Sequence, residues 1–285
     1  MTVIDYMITP RCNLNCPFCY GSTGVSEMSL KQKKQIIKEI SLFGITHVII
    51  SGGEPLSSPD IVDVCSFAKK NGLKVAVQTN GTYLSTLKKI LPFVDWIALP
   101  IDGISTYVCE KTRTLSSHFA VVEKSIQVIE DYKKTNNTDM PAIKIGTVLT
   151  KHNISDIFEI YSYLTKHQIS VWKIYKIRRR GKMVSEDAYN AIYTPDDVIK
   201  KISNKINQLP SKFKIYFSEN LTNDSYVIIE PNTDIVVING SSIHTCGTLF
   251  TNNGFNISAL KMAMDIVDKE KICKNINESF PKWQQ

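Results

Sequence analysis

Three cysteines fall within eight positions near the start of the chain, in Arg11-Cys12-Asn13-Leu14-Asn15-Cys16-Pro17-Phe18-Cys19-Tyr20, a C-x3-C-x2-C spacing. Thiolates placed this way can hold three corners of a cubane iron-sulfur cluster and leave the fourth iron open, as catalytic metal sites keep one position for substrate. The same spacing also fits a zinc site that lacks its fourth ligand, or unrelated thiols. The chain has 7 cysteines, an odd number, which suits a metal or redox site in a reducing compartment better than a disulfide framework.

A second chemical motif, Ser51-Gly52-Gly53-Glu54-Pro55, follows the apolar run His47 to Ile50. Paired glycines let a backbone approach a ligand closely, and a glutamate can accept hydrogen bonds from an ammonium group. Alone, this would be a turn. One strand after the cysteine motif, and at the strand end where barrel enzymes place their chemistry, it becomes specific.

Such groups need a scaffold that gathers strand ends. Short β-rich runs alternate with amphipathic stretches roughly every 25 residues, the pattern of repeated βα units around a parallel sheet. Strands are expected near Val3 to Ile8, His47 to Ile50, Lys74 to Gln78, Trp96 to Leu99, Ile143 to Leu149 and Val171 to Ile177. Between Leu30 and Phe43, Ile36, Ile37, Ile40 and Phe43 recur at helical spacing, while Lys31, Lys33, Lys34 and Lys38 read as a solvated face. On that reading Lys33→Ala is silent. Ser58-Pro59-Asp60 opens a second helix that Asn71-Gly72 closes, and Thr79-Asn80-Gly81 makes a turn at the end of the third strand. Past Gly181 the rhythm changes to a helix near Pro195 to Leu209, then strands Tyr226 to Ile229 and Asp234 to Ile238 joined as a hairpin through Glu230 to Thr233. From Phe255 onward there is a weak helix signal.

With both motifs in place, the sequence resembles the radical S-adenosylmethionine (AdoMet), or radical SAM, superfamily over roughly Asp5 to Ile177. The resemblance implies an α/β fold: a partial (β/α)6 TIM-type barrel over residues 1–180 and a short α+β C-terminal extension over 181–285. It implies one 4Fe-4S cluster on Cys12, Cys16 and Cys19, whose open iron chelates AdoMet, and an electron donor such as flavodoxin or ferredoxin. A 5'-deoxyadenosyl radical then takes a hydrogen atom from substrate; the cofactor carries the hard step while the protein positions it and excludes water. By the same matching, Tyr20 lies against the adenine, Gly52, Gly53 and Glu54 near the methionine amino group, and Thr79 and Asn80 near the ribose or methionine end. Arg113 is a candidate for the AdoMet carboxylate. Asp102, Thr147, Ile174 and Tyr175 complete the cofactor set.

Two features resemble the viperin group of antiviral radical SAM enzymes, which dehydrate a nucleoside triphosphate to its 3'-deoxy-3',4'-didehydro form. They are Val171-Trp172-Lys173-Ile174-Tyr175 and the later Glu219-Asn220 followed by Asp224-Ser225-Tyr226. The matching puts Lys144 and Lys173 at a triphosphate, and Ser51 and Tyr226 facing a nucleotide. There are departures: His47 stands where viperins have a lysine, and Gly146 where they have an asparagine. Arg178, Arg179, Arg180 and Lys182, with Lys173, form a basic group at the end of the sixth strand; Arg178 and Arg180 are candidates for phosphate, because guanidinium forks suit phosphate oxygens.

The other cysteines, Cys65, Cys109, Cys246 and Cys273, are scattered, and Cys65 shares an apolar helix face with Ile61 and Val62, so no second cluster is expected. The first residues show no basic region followed by an apolar stretch, and no apolar run approaches the ~18 residues a membrane helix needs, so a soluble cytoplasmic chain is expected. The net charge of +7 does not choose among anionic partners. A small anionic substrate is favoured over a peptide or an RNA, which would call for a recognition domain, a second cluster or a broad basic face. The Gly-Gly-Glu-Pro argues against a non-catalytic metal protein.

Overall fold

Apolar and β-branched residues recur in all six short runs, and each run forms a strand whose buried side chains face the core. These are β1 (Val3–Met7), β2 (His47–Ser51), β3 (Lys74–Gln78), β4 (Trp96–Pro100), β5 (Ala142–Leu149) and β6 (Val171–Lys176). The helices α1 (Leu30–Leu42), α2 (Ile61–Lys70), α3 (Leu84–Ile90), α4 (Thr106–Arg113), α5 (His118–Asn136) and α6 (Ile157–Leu164) connect them, so all six strands run parallel and their C-terminal ends gather on one side. The computed structural model describes residues 3–21, 24–177, 179, 181–183, 185–218, 225–240, 242–281 and 283.

The chain beyond β6 adds α7 (Glu186–Asn190), α8 (Asp196–Ile206) and four strands of the same sheet. β7 (Lys214–Ser218) lies parallel to β6, at one edge. β8 (Ser225–Ile229) returns to the far side and pairs in parallel with β1. The hairpin expected at Glu230 to Thr233 then leads to antiparallel β9 (Asp234–Asn239) and β10 (Ser242–Thr248), giving the order β10-β9-β8-β1-β2-β3-β4-β5-β6-β7. After a small hairpin, β11 (Phe250–Thr251) with β12 (Gly254–Phe255), come α9 (Ile257–Ile266) and α10 (Lys269–Ser279). The weak helical signal past Phe255 therefore covers two helices. No described helix is long and apolar enough to cross a membrane.

α10 and the residues after it close the opposite end of the barrel, where the strands begin. Phe280 meets Trp96, the first residue of β4, edge-on at 5.4 Å. Trp283 meets the ring of His47, the first residue of β2, at 4.7 Å, and its carbonyl accepts from His47 Nε2 at 3.2 Å. A carbonyl only accepts, so Nε2 carries the proton and Nδ1 accepts from the Thr46 hydroxyl at 2.7 Å. Both ring nitrogens are occupied, and burial lowers the His47 pKa. The position where viperins carry a lysine is therefore used to anchor the segment around Trp283.

Helix α1 buries one residue that its periodicity places on the solvated face. The capping box formed by Ser29 and Gln32 starts the helix, and Ile36, Ile37 and Ile40 are buried as the periodicity requires, but Lys33 is fully buried too. Its ammonium reaches Glu27 and Asp60, each at 2.8 Å. A buried cation is tolerated only with such partners. Lys33→Ala should thus lower the unfolding free energy by about 3 kcal/mol, the low end for a broken buried pair because both carboxylates reach solvent. An unchanged urea midpoint would contradict this.

Candidate active site

The residue after each strand end decides what can meet there. Past β1 the chain enters the cysteine loop, and the end of β2 packs directly on that entrance: Gly53 N donates to Thr9 O and Glu54 N to Arg11 O, both at 2.7 Å. No side chain fits between these backbones. A Cβ on Gly53 would lie 2.2 Å from Arg11 O, and one on Gly52, whose φ is +150°, would lie 2.5 Å from Thr9 O. The two glycines therefore serve a backbone-to-backbone contact, and both also face the cavity below.

Glu54 is fully buried. Its carboxylate accepts from Leu56 N at 2.9 Å, Thr79 Oγ1 at 2.6 Å and Asn80 N at 2.6 Å, which uses three of its roughly four acceptor directions. Burial pushes its pKa up to about 7. It clamps the end of β2 to the end of β3, which leaves one acceptor direction for the ammonium contact expected of it. Thr79 is one of its donors. Asn80 passes the clamp on to the cysteine loop, donating from Nδ2 to Asn13 Oδ1 at 2.9 Å and to Cys12 Sγ at 3.8 Å.

The Asn80 carbonyl accepts from His118 Nε2 at 3.1 Å. Burial, aided by the Arg113 charge, pushes the pKa of His118 down to about 3, so the ring is neutral. In the unfolded chain a histidine titrates near 6.5. The stability this ring contributes is then full above pH 6.5 and lost as the pH falls toward 3, at about 1.4 kcal/mol per pH unit. Unfolding followed from pH 7 to pH 4.5 should show a shallower acid loss in His118→Gln than in the unaltered protein. Equal slopes would show that the ring is not held neutral.

Cys12, Cys16 and Cys19 line one wall of a single cavity of about 320 Å³, together with Tyr20, Thr79, Asn80 and Arg113. Burial raises the thiols of Cys12 and Cys16, and at Cys16 the Arg113 charge opposes the shift. Loading a cluster would therefore displace protons. The donor set fits: three sulfurs share one wall, and the amides of Leu14 and Asn80 point at Cys12 Sγ. Among the described residues no group of three ligand side chains converges as closely as a single ion requires, whereas the corners of a cubane lie farther apart.

Arg113 is not a surface arginine. It is ion-paired with the buried Asp102, reaches Cys16 Sγ with Nη1 at 3.7 Å, and lies over the Phe18 ring at 5.1 Å. Asp102 also accepts from Val148 N at 2.6 Å; burial raises its pKa and the Arg113 charge lowers it. Asp102 thus positions Arg113 and is not on the cavity wall itself. Thr147 is likewise off the wall: its hydroxyl donates to Ile101 O at 2.6 Å and accepts from Trp172 Nε1 at 2.9 Å, tying β4, β5 and β6 together. Ile174 is core, while Tyr175 and the unexpected Ile177 reach the cavity.

Farther into the barrel the cavity is lined by Ser51, Lys144, Tyr175 and Tyr226. Asp5 was not among the expected residues; the signal was a carboxylate inside the apolar run of β1, and it receives the Ser51 hydroxyl. Lys144 is 4% exposed and faces the rings of Phe280 at 4.5 Å and Tyr175 at 5.6 Å. Burial, then the neighbouring Lys173, depresses its pKa, and Asp5 opposes the shift. Lys173 is fully buried beneath this wall, its ammonium at 3.4 Å from Glu278 and 3.3 Å from Ser279 of α10. Gly146 faces Tyr175, whose ring lies 3.4 Å from where a Cβ would stand, so the tyrosine ring lies against the cavity wall at the position where viperins carry an asparagine. Arg178 and Arg180, and with them Glu219, Asn220 and Asp224, lie outside the described residues. Arg179 pairs with Glu186 on the surface, with Nη2 at 2.9 Å.

The model of the radical SAM superfamily matches residues 6–164, over half of the chain. The chain belongs to this superfamily. Its cofactors are accordingly a 4Fe-4S cluster and AdoMet, and the three thiols described above are the ones that would hold the cluster. Over 197 residues it is 27% identical to the Fe-coproporphyrin III synthase of Methanosarcina barkeri, covering 65% of this chain and 47% of the synthase. It therefore spans about half the length of that relative. It is 24% identical over 244 residues to the S-adenosylmethionine-dependent nucleotide dehydratase of Flammeovirga pacifica, covering 80% of this chain and 79% of the dehydratase. In fold it is similar to native anSMEcpe with bound AdoMet, with a TM-score of 0.65 at 14% identity, over 94% of this chain and 83% of that one.

Proposed function

We propose that this radical SAM chain takes a hydrogen atom from a small anionic substrate seated in the barrel over Lys144. A nucleoside triphosphate undergoing viperin-like dehydration is the leading case. When bound, the cluster supplies the electron that cleaves AdoMet to the 5'-deoxyadenosyl radical. Arg113, oriented by Asp102, offers its guanidinium to the AdoMet carboxylate, and Gly52 and Gly53 offer backbone groups near the amino end. Tyr20, 40% exposed at the cavity wall, is placed for the adenine. Ser51, Tyr175 and Tyr226 present hydroxyls and ring faces to the substrate. The packed barrel base around Phe280 and Trp283 keeps water from that end.

The observation that carries this reading is Lys144, a buried cation on the cavity wall with no carboxylate paired to it among the described residues. An anion beside it would restore the ammonium form that burial disfavours. The nucleotide dehydratase relative, matched over most of its own length, supports nucleotides as the class. The test is 5'-deoxyadenosine formation after anaerobic reconstitution, with a panel of nucleoside triphosphates. One of them should raise it well above the uncoupled background. Lys144→Met should then raise the apparent KM by about tenfold, the loss of about 1.4 kcal/mol from one charge-assisted contact. If no triphosphate stimulates cleavage, the nucleotide class fails, and other small anions or a peptide are to be screened against the same family assignment.

A further inference from the structure

The loop that carries the three cysteines has no regular structure of its own and is held by side chains from elsewhere. Asn13 Nδ2 donates to Thr82 Oγ1 at 3.0 Å, and Asn15 N donates to Thr114 Oγ1 at 3.0 Å. A further hold comes from the short turn after β6. Lys182 N donates to Cys19 O at 3.1 Å, while Lys182 Nζ donates to Cys16 O at 3.1 Å and to Asn15 Oδ1. The next residue, Met183, is 3% exposed and packs in a small apolar cluster with Cys16, Phe18, Ile177 and Ile192. That packing fixes the turn and so fixes Lys182 on the loop.

Lys182 also differs from the other cations at this loop. Arg11 is paired with Glu27 at 3.1 Å, and Arg113 is paired with Asp102. No carboxylate pairs with Lys182 among the described residues. Among those residues its charge is thus not offset by a carboxylate, and it lies on the carbonyl of Cys16. An iron-sulfur cluster becomes more negative when reduced, and its potential follows net charge, hydrogen bonding and exposure nearby. A fixed cation stabilises the reduced form more than the oxidised form.

We propose that Lys182 is a positioning residue for the cluster, clipping the Cys16 to Cys19 segment and holding beside it a positive charge that favours the reduced state. This rests on the cluster being bound by Cys12, Cys16 and Cys19. The basic run after β6, from which a phosphate site was expected, thereby gives one member to the electron-transfer step.

The experiment is a redox titration of the anaerobically reconstituted protein, followed by the electron paramagnetic resonance signal of the reduced cluster, on the unaltered chain, Lys182→Met, Lys182→Gln and Lys182→Arg. Loss of the charge should make reduction less favourable by about threefold to tenfold, and tenfold is a fall of about 59 mV for one electron. The Gln variant, which keeps a donor without the charge, should fall with Met, and Arg should stay near the unaltered protein. Because Lys182 reaches solvent, the difference should shrink as ionic strength rises. If Met fails to load iron, Gln decides the matter. A Gln potential equal to the unaltered one overturns the electrostatic role and leaves a clip alone. No cluster signal from the unaltered chain would overturn the cofactor assignment, and this inference with it.

Discussion

Cys12→Ala, Cys16→Ala and Cys19→Ala should each yield a protein that holds no 4Fe-4S cluster after anaerobic reconstitution and forms no 5'-deoxyadenosine, while the unaltered chain takes up about four iron. Each thiolate would hold one corner of the cubane, so losing one would leave two, too few to anchor it. No other sulfur can substitute. Cys65, Cys109, Cys246 and Cys273 are absent from the cavity wall, and the first three are buried. Cys65 lies in the core at 0% exposure, and burial alone pushes its thiol far up, out of the range of ready ionisation. Cys65→Ala is the control: it should retain the iron and lose only packing. Iron analysis and the visible absorption of the cluster decide the outcome. Zinc in place of iron, or about eight iron per chain, would refute the single-cluster assignment.

Gly53→Ala should be nearly as damaging without touching a ligand atom. The added methyl would stand 2.2 Å from Arg11 O, 2.6 Å from Arg11 C and 2.8 Å from Pro10 O, all backbone atoms that cannot rotate away. Relief requires the end of β2 to part from the cysteine loop, which breaks the two 2.7 Å hydrogen bonds to Thr9 and Arg11. Overpacking of about 1 to 3 kcal/mol added to two lost hydrogen bonds of about 1 kcal/mol each makes roughly 3 to 5 kcal/mol of stability at this junction, and the glycines displaced with it should weaken AdoMet binding by about tenfold or more. Gly44→Ala separates this cause from backbone strain: Gly44 has φ +92° but open space around it, so that change should cost some stability and leave AdoMet binding intact. Equilibrium dialysis with AdoMet checks both, and wild-type affinity in Gly53→Ala would sink the close-approach argument.

The two motifs and the repeated βα units of the core were legible in the sequence. The cysteine spacing and the Gly-Gly-Glu-Pro are local, and β3 begins and ends at Lys74 and Gln78 as its pattern requires, because a short apolar core bounded by Asn71-Gly72 and Asn80-Gly81 records strand length directly. Parallel pairing of successive βα units follows from connection length. What a side chain meets across the fold is not local. Lys33 reads as solvated from helical periodicity, yet it is buried because Glu27 and Asp60 arrive from other elements. Glu54 reads as a ligand-facing carboxylate, yet Thr79 and Asn80, at the end of the next strand, take its oxygens. Nothing in the pattern of β7 or β8 says that one joins β6 and the other β1, since edge pairing depends on which edges the finished sheet leaves open. The sequence determined where the two motifs lie and which segments form the six core strands and the hairpin after them; only the tertiary structure decided that Lys33 meets two carboxylates while Lys144 and Lys182 have none paired to them among the described residues, because compensation is set by distances between residues far apart in the chain.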